Sequence, residues 1–205
     1  MHPEILDDNR EALLPFLKKY KKNYYSVGGT AISLHIGHRR SVDFDMFTAG
    51  SVNILNLKKQ VSQAGFSSSV LHSSGDQIHF IVNDVKLTFF EYPFNIEAEN
   101  DFKNSIRVPD LLTLAAMKAF ALGGRSKWKD YADLYFIIKD FYTPEEISVK
   151  AKTLFAGVFN PYLFKKQLSF FDDIDYSEQI EYMPGFEVPD EEIKSFLIDT
   201  SLTGF

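Results

Sequence analysis

The segment from Tyr25 to Thr48 constrains this chain more than any other: Tyr25-Ser-Val-Gly-Gly-Thr-Ala-Ile-Ser-Leu-His-Ile-Gly-His-Arg-Arg-Ser-Val-Asp-Phe-Asp-Met-Phe-Thr48. It joins a glycine pair, an apolar stretch of helical spacing, a basic doublet and two aspartates separated by one residue. In a β-strand, residues i and i+2 point to the same face. Asp43 and Asp45 therefore project together from a strand over residues 41–47, with Val42, Phe44 and Met46 turned to the core. Adjacent carboxylates repel unless a cation lies between them. Mg²⁺ is commonly held by one or two carboxylates together with substrate phosphates.

The alternative is a strand with its acidic face in water, and the order of the parts argues against it. Residues 24–27 read as a short strand leading into Gly28-Gly29, where the backbone can take φ > 0 and approach a ligand closely. Residues 31–36 then read as a short helix ending at Gly37, with Thr30 as its cap and its first amides turned toward phosphate. A phosphate cradle followed by an acidic pair is a site for a nucleoside triphosphate and Mg²⁺ (or Mn²⁺). His35 and His38 could be general bases on residue type alone, or could fill a surface or core role.

The remaining chain reads as follows. Residues 3–22 have the apolar stripe of an amphipathic helix, kinked or divided at Pro15. Its terminal Lys18, Lys19, Lys21 and Lys22 are a solvated helix end or a patch for RNA. Residues 52–64 have helical period, closed by Gly65. Residues 66–92 read as antiparallel strands, with 77–82 and 85–92 joined by the two-residue turn Asn83-Asp84. Residues 94–107 read as irregular. Asp110 is placed to cap a helix over 111–122, and Gly123-Gly124 ends it before the basic segment Arg125-Ser-Lys-Trp-Lys-Asp-Tyr-Ala-Asp133. Thr143-Pro-Glu-Glu146 starts a further helix, with Thr143 as cap and Pro144 in the first turn. Beyond Asn160 the chain reads as mostly helical with a looser acidic tail. A mixed sheet followed by helices makes an α+β fold, divided into residues 1–108 and a helical part, 109–205, packed on it as one unit.

Composition narrows the function classes. The net charge of −6 argues against a general nucleic-acid binder. The absence of cysteine excludes disulfides and thiolate metal sites. No apolar run approaches the ~20 residues that cross a bilayer, and the first residues lack a signal-peptide layout. A cytoplasmic protein with no membrane partner is the expectation. The 20 phenylalanines predict an aromatic-rich core.

With these residues laid out, the chain resembles the AbiEii/AbiGii-type nucleotidyltransferases of the polymerase-β-like superfamily, toxins of toxin–antitoxin and phage-abortive systems. The likeness rests on Val27-Gly-Gly-Thr-Ala31 and on His38-Arg39-Arg40-Ser41-x-Asp43-x-Asp45-x-Phe47. It continues through Asp110-Leu-x(5)-Met117-Lys118, Arg125-x-Lys127-x-Lys129-Asp130-Tyr-x-Asp133 and Phe171-Asp172-Asp173. The resemblance implies a polymerase-β-like nucleotidyltransferase core with a small mixed sheet, followed by a helical bundle. It implies that Asp43 and Asp45 hold Mg²⁺ and that Gly28, Gly29 and Thr30 contact the triphosphate. Lys118 and Lys127 become nucleotide contacts and Asp130 a candidate active-site acid. Of Arg39 and Arg40, one bonds within the fold and the other neutralises the transferred phosphate, and the family pattern favours Arg39 for the second role. The implied acceptor is RNA, at a tRNA 3′ end, or a protein side chain, and the implied partner an antitoxin.

Read from the residues alone, Lys118 either snorkels from the edge of an apolar helix or reaches into a cleft. Asp130 and Asp133, three apart on a helix, share a face, to fasten Lys127, Lys129 or Arg125 or to serve a site. One departure stands out. Polymerase-β-like enzymes commonly use a third carboxylate on a neighbouring strand, and the matching position here is Thr88. Glu91, by strict alternation, lies on the opposite face and could replace it only if the strand has a bulge or ends there. The alternative function is thus a catalytically weakened nucleotide-binding or regulatory protein.

Overall fold

Asp7 decides where the first helix begins. Its carboxylate accepts from the Arg10 backbone N–H at 3.0 Å, so α1 spans Asp8–Leu17. Short 3₁₀ turns precede and follow it, at Pro3–Ile5 and Lys18–Tyr20. The continuous helix expected over 3–22 is therefore divided at Asp7, and Pro15 stays inside α1. The computed structural model describes residues 1–122, 124 and 127–203, and divides into two units, Met1–Asp110 and Leu111–Phe205.

The first unit is built on a five-stranded mixed sheet, in the order β1-β2-β5-β4-β3. β1 (Tyr25–Val27) runs antiparallel to β2 (Asp43–Thr48), and β2 runs parallel to β5 (Val85–Glu91). β4 (Gln77–Val82) and β3 (Ser68–Ser74) complete it antiparallel. The parallel pair needs a long crossover, supplied by α3 (Ile54–Gln63), β3 and β4. Helix α2 (Gly28–Ile36) fills the connection between β1 and β2 and ends at Gly37, in the left-handed region as expected.

Alternation along these strands separates two faces. Phe44, Met46, Ile78, Phe80, Val82, Leu87 and Phe89 are buried on one. Tyr20 and Tyr24 each meet Phe89 edge-on with ring centroids 5.1 Å apart, a favoured aromatic geometry. The other face carries Asp43, Asp45, Lys86, Thr88 and His79. Val42, expected in the core, is 42% exposed, because β2 begins only at Asp43.

The turn between β4 and β5 is as expected. Asn83 and Asp84 both have positive φ, at 51° and 62°, and Val82 pairs with Val85. The stretch read as irregular instead holds a hairpin, β6 (Asn100–Phe102) and β7 (Ile106–Val108). Its turn places Lys103 and Asn104 at positive φ, a choice not marked by glycine, and its strands bury Phe102, Ile106 and Val108.

The second unit is helical: α4 (Leu111–Leu122), α5 (Trp128–Asp140), α6 (Pro144–Leu154), α7 (Pro161–Leu168) and α8 (Asp190–Thr203). α4 is buried on nearly every side, and its Phe120 stacks on Phe155 at 4.3 Å. Thr143 and Glu146 form the reciprocal cap that the sequence indicates, with Pro144 in the first turn. Gly123 and Arg125, which the sequence marks as a helix break and the start of a basic segment, lie outside the described residues. Among the described residues no helix is long and apolar enough to cross a membrane.

Candidate nucleotide and metal site

The site is assembled where α2 starts against β2. The helix begins at Gly28 itself, earlier than expected, and Thr30 is not its cap. Thr30 sits inside the first turn, 2% exposed, and its hydroxyl donates to the Asp43 backbone carbonyl and lies 2.8 Å from Ser41 Oγ. It fastens α2 to β2, so its side chain is not available to a triphosphate. The residue at the cap position, Val27, makes no side-chain hydrogen bond to the helix. The N-cap side chain thus contributes nothing to the first-turn amides, at the end where the helix dipole favours anions.

Both glycines are demanded by neighbours. Gly28 has φ 72°, in the region that favours glycine. A Cβ on it would lie 2.5 Å from Asp45 Oδ2. A Cβ on Gly29 would run into Arg39 Nη2 and sit 3.4 Å from Ser41 Oγ. The missing side chains thus make room for a carboxylate and a guanidinium on the first turn of α2. Arg39 is 3% exposed and donates through Nη1 to the Arg40 carbonyl at 3.1 Å.

Asp43 and Asp45 are half-buried on one face of β2, flanking fully buried Phe44. A phosphate arriving at the α2 terminus would meet the Asp45 carboxylate there. Two anionic groups at one point require a cation between them, and hard oxygen donors suit Mg²⁺. Among the described residues no group of three or more His, Asp or Glu is placed to hold a metal. The pair therefore fits Mg²⁺ in the form in which substrate phosphates and water complete the shell.

The neighbouring strand shows why a third acid is missing. In the parallel register Asp43 stands beside Lys86 and Asp45 beside Thr88. β5 keeps this register unbroken through Glu91, which pairs with Thr48. β5 ends at Glu91, but with no bulge and the pairing to Thr48 kept, Glu91 stays on the face opposite Thr88 and is not brought to the aspartates. His35 is held by the Pro109 carbonyl at 2.8 Å, with burial pushing its pKa down, and His38 is fully buried.

In the helical unit Lys118 neither snorkels nor lies at an edge. It is 4% exposed, and its Nζ is 2.7 Å from Asp130 Oδ1 and 2.9 Å from Asp133 Oδ2. The two aspartates face Lys118 rather than Lys127 or Lys129, and Arg125, the third partner expected for them, lies outside the described residues. Lys127 pairs with Glu178, to which Lys129 adds a contact at 3.2 Å. A phosphate role for Lys118 or Lys127 would require exchanging these carboxylates for the ligand.

The mixed five-stranded sheet followed by helices matches the fold of solved nucleotidyltransferase structures. The chain is similar to a Helicobacter pylori protein provisionally named a nucleotidyltransferase, over 96% of this chain and 95% of that one, with TM-score 0.60 and 18% identity. It is similar to JHP933 from Helicobacter pylori, over 98% and 92%, with TM-score 0.58 and 18% identity. It is also similar to MenT4, a nucleotidyltransferase toxin of Mycobacterium tuberculosis, over 94% and 82%, with TM-score 0.59 and 11% identity. In sequence it is 29% identical over 178 residues to the uncharacterized protein aq_aa25 of Aquifex aeolicus, covering 84% of this chain and 85% of that one. No family model matches the chain.

Two residues at the site escape the sequence reading. Ser41 meets Thr30, a contact without any local signal. His79 lies opposite Thr88, and this one was countable: the Asn83-Asp84 turn sets the register of the hairpin.

Proposed function

We propose that this chain is a Mg²⁺-dependent nucleotidyltransferase that moves a nucleoside monophosphate from an NTP to an acceptor hydroxyl and releases pyrophosphate. The observation that carries this is the pair Asp43 and Asp45 on one face of β2, with Asp45 lodged against the side-chain-free first turn of α2. Mg²⁺, when bound, would neutralise phosphate charge during an in-line displacement. Asp43 and Asp45 would hold it, the Gly28-Gly29 amides would receive the phosphates, and the Arg39 guanidinium would offset charge on the transferred group. Most of the rate then derives from positioning and electrostatics. Lys118, Lys127 and Asp130 are committed to ion pairs, so the reading rests on the first unit.

The toxin half of a cytoplasmic toxin–antitoxin or abortive-infection pair, of the AbiEii/AbiGii type, is the biological role we favour, with RNA (a tRNA 3′ end) or a protein side chain as acceptor. The fold shared with the toxin MenT4 supports it. Incubation with the four α-labelled NTPs, Mg²⁺ and total cell RNA or lysate tests the activity. Transfer of label that Asp43→Asn and Asp45→Asn abolish is expected, and labelling no different from those variants sinks the enzyme. A neighbouring reading frame for a small antitoxin would support the paired role, and an isolated gene would count against it.

Thr88 beside Asp45 favours a second reading, a nucleotide-binding protein with weakened catalysis. Calorimetry showing micromolar NTP binding without pyrophosphate release would select it.

A further inference from the structure

The face that bears the aspartates carries a polar row across four strands. Asp45 on β2 pairs with Thr88 on β5, Thr88 with His79 on β4, and His79 with His72 on β3. Residues paired in register share a face. Thr88 Oγ1 and His79 Nδ1 are 3.3 Å apart, and His79 Nε2 is 2.8 Å from Gln77 Oε1. With the Gln77 carboxamide oxygen accepting from Nε2–H, the ring proton sits on Nε2 and Nδ1 is the nitrogen whose lone pair meets the threonine hydroxyl. The order hydroxyl, imidazole, orienting group is the arrangement by which a weakly acidic hydroxyl can pass on a proton.

We propose that Thr88 and His79 together stand in for the missing third carboxylate, the hydroxyl relaying the acceptor's proton to His79 Nδ1. The inference rests on the nucleotidyltransferase reading above. In the step, the acceptor oxygen bonds to the α-phosphorus and the bond from that phosphorus to the bridging oxygen breaks. Pyrophosphate leaves with the electron pair. The acceptor proton moves to Thr88 Oγ1 as the threonine's own proton moves to His79, which becomes imidazolium and later releases it to water. Burial, with Lys86 and His72 nearby, holds the His79 pKa below its ordinary value, and Asp45 pulls the other way. A neutral imidazole is the form that can accept. No His, Asp or Glu joins the aspartates as a third metal ligand among the described residues, so the histidine is assigned to the proton and not to the ion.

The relay predicts a specific pattern in pyrophosphate release measured with the four NTPs, Mg²⁺ and both total cell RNA and cell lysate as acceptor sources. His79→Gln lowers kcat by about 10²-fold, the lower end of general-base contributions, and leaves the KM for NTP unchanged. Thr88→Val lowers kcat to a similar level, and the double variant is no worse than either single one, because both break one chain. Thr88→Asp in the His79→Gln background restores kcat, since a carboxylate at that position needs no relay. Circular dichroism confirms folding of each variant; if Thr88→Asp does not fold, the valine double variant decides. An active wild type whose kcat survives His79→Gln, whose losses multiply in the double variant, or whose folded Thr88→Asp gives no recovery, overturns the relay alone. A wild type that releases no pyrophosphate overturns the nucleotidyltransferase reading and the relay with it.

Discussion

Replacing Lys118 with methionine removes the ammonium that Asp130 and Asp133 share at 2.7 and 2.9 Å, with all three side chains at or below 4% exposure. Methionine keeps the length and apolar body of the lysine, so little packing is lost. What changes is the electrostatics: two carboxylates three residues apart on α5 lose a cation they share, in a place water scarcely reaches. Removing one partner of a buried ion pair destabilises by about 3–5 kcal/mol, mainly through the charge left behind. With a urea dependence of about 1.5 kcal/mol/M, the unfolding midpoint of the helical unit falls by about 2–3 M. Trp128, the only tryptophan, opens α5 and is 4% exposed, so its fluorescence follows this unit directly. Adding Asp133→Asn should offset part of the loss, with a coupling of about 1–3 kcal/mol in the cycle. A midpoint lowered by less than ~0.5 M, with losses that simply add, would mean the triad is as weak as a solvated pair, and the reasoning would fail.

Two further perturbations probe the first unit. Gly28→Ala puts a Cβ 2.5 Å from Asp45 Oδ2 at a residue with φ 72°. It should cost about 1–2 kcal/mol from backbone strain alone and abolish the rise in melting temperature given by Mg²⁺ and ATP; an undiminished ligand shift refutes the cradle. Burial pushes the Tyr20 and Tyr25 hydroxyls from 10 up to about 12. Because the folded values are raised, stability is intact below pH 10 and declines as pH climbs from 10 toward 12. Absorbance titration should find phenolates in urea at pH 11 that the native protein does not show, and equal titration in both states would contradict the burial.

Much of the architecture is legible in short stretches of sequence. The Asn83-Asp84 turn, the Thr143–Pro144–Glu146 cap and the stop at Gly37 follow from dihedral and hydrogen-bonding preferences of a few adjacent residues. The shared face of Asp43 and Asp45 follows from the pleat of a strand. Errors arose where a local preference met a competing partner. Thr30 has the chemistry of a cap, yet Ser41 and the Asp43 carbonyl claim its hydroxyl. Lys118 looks like an edge lysine until Asp130 and Asp133, on the next helix, are brought to it. The hairpin at Asn100–Val108 carries no glycine to announce it.

What the sequence alone determined is therefore most of the elements, several of their terminations and the placing of two acids on one strand face. The tertiary structure decided which strand lies beside those acids: β5 pairs parallel with β2, which brings Thr88 to Asp45 and the hairpin partner His79 one strand further. Backbone torsions and i, i+2 geometry act within a few residues and are written wherever those residues occur. The choice of neighbouring strand closes a loop of dozens of residues, and only the collective burial of Phe44, Met46, Leu87 and Phe89 across the finished sheet selects it.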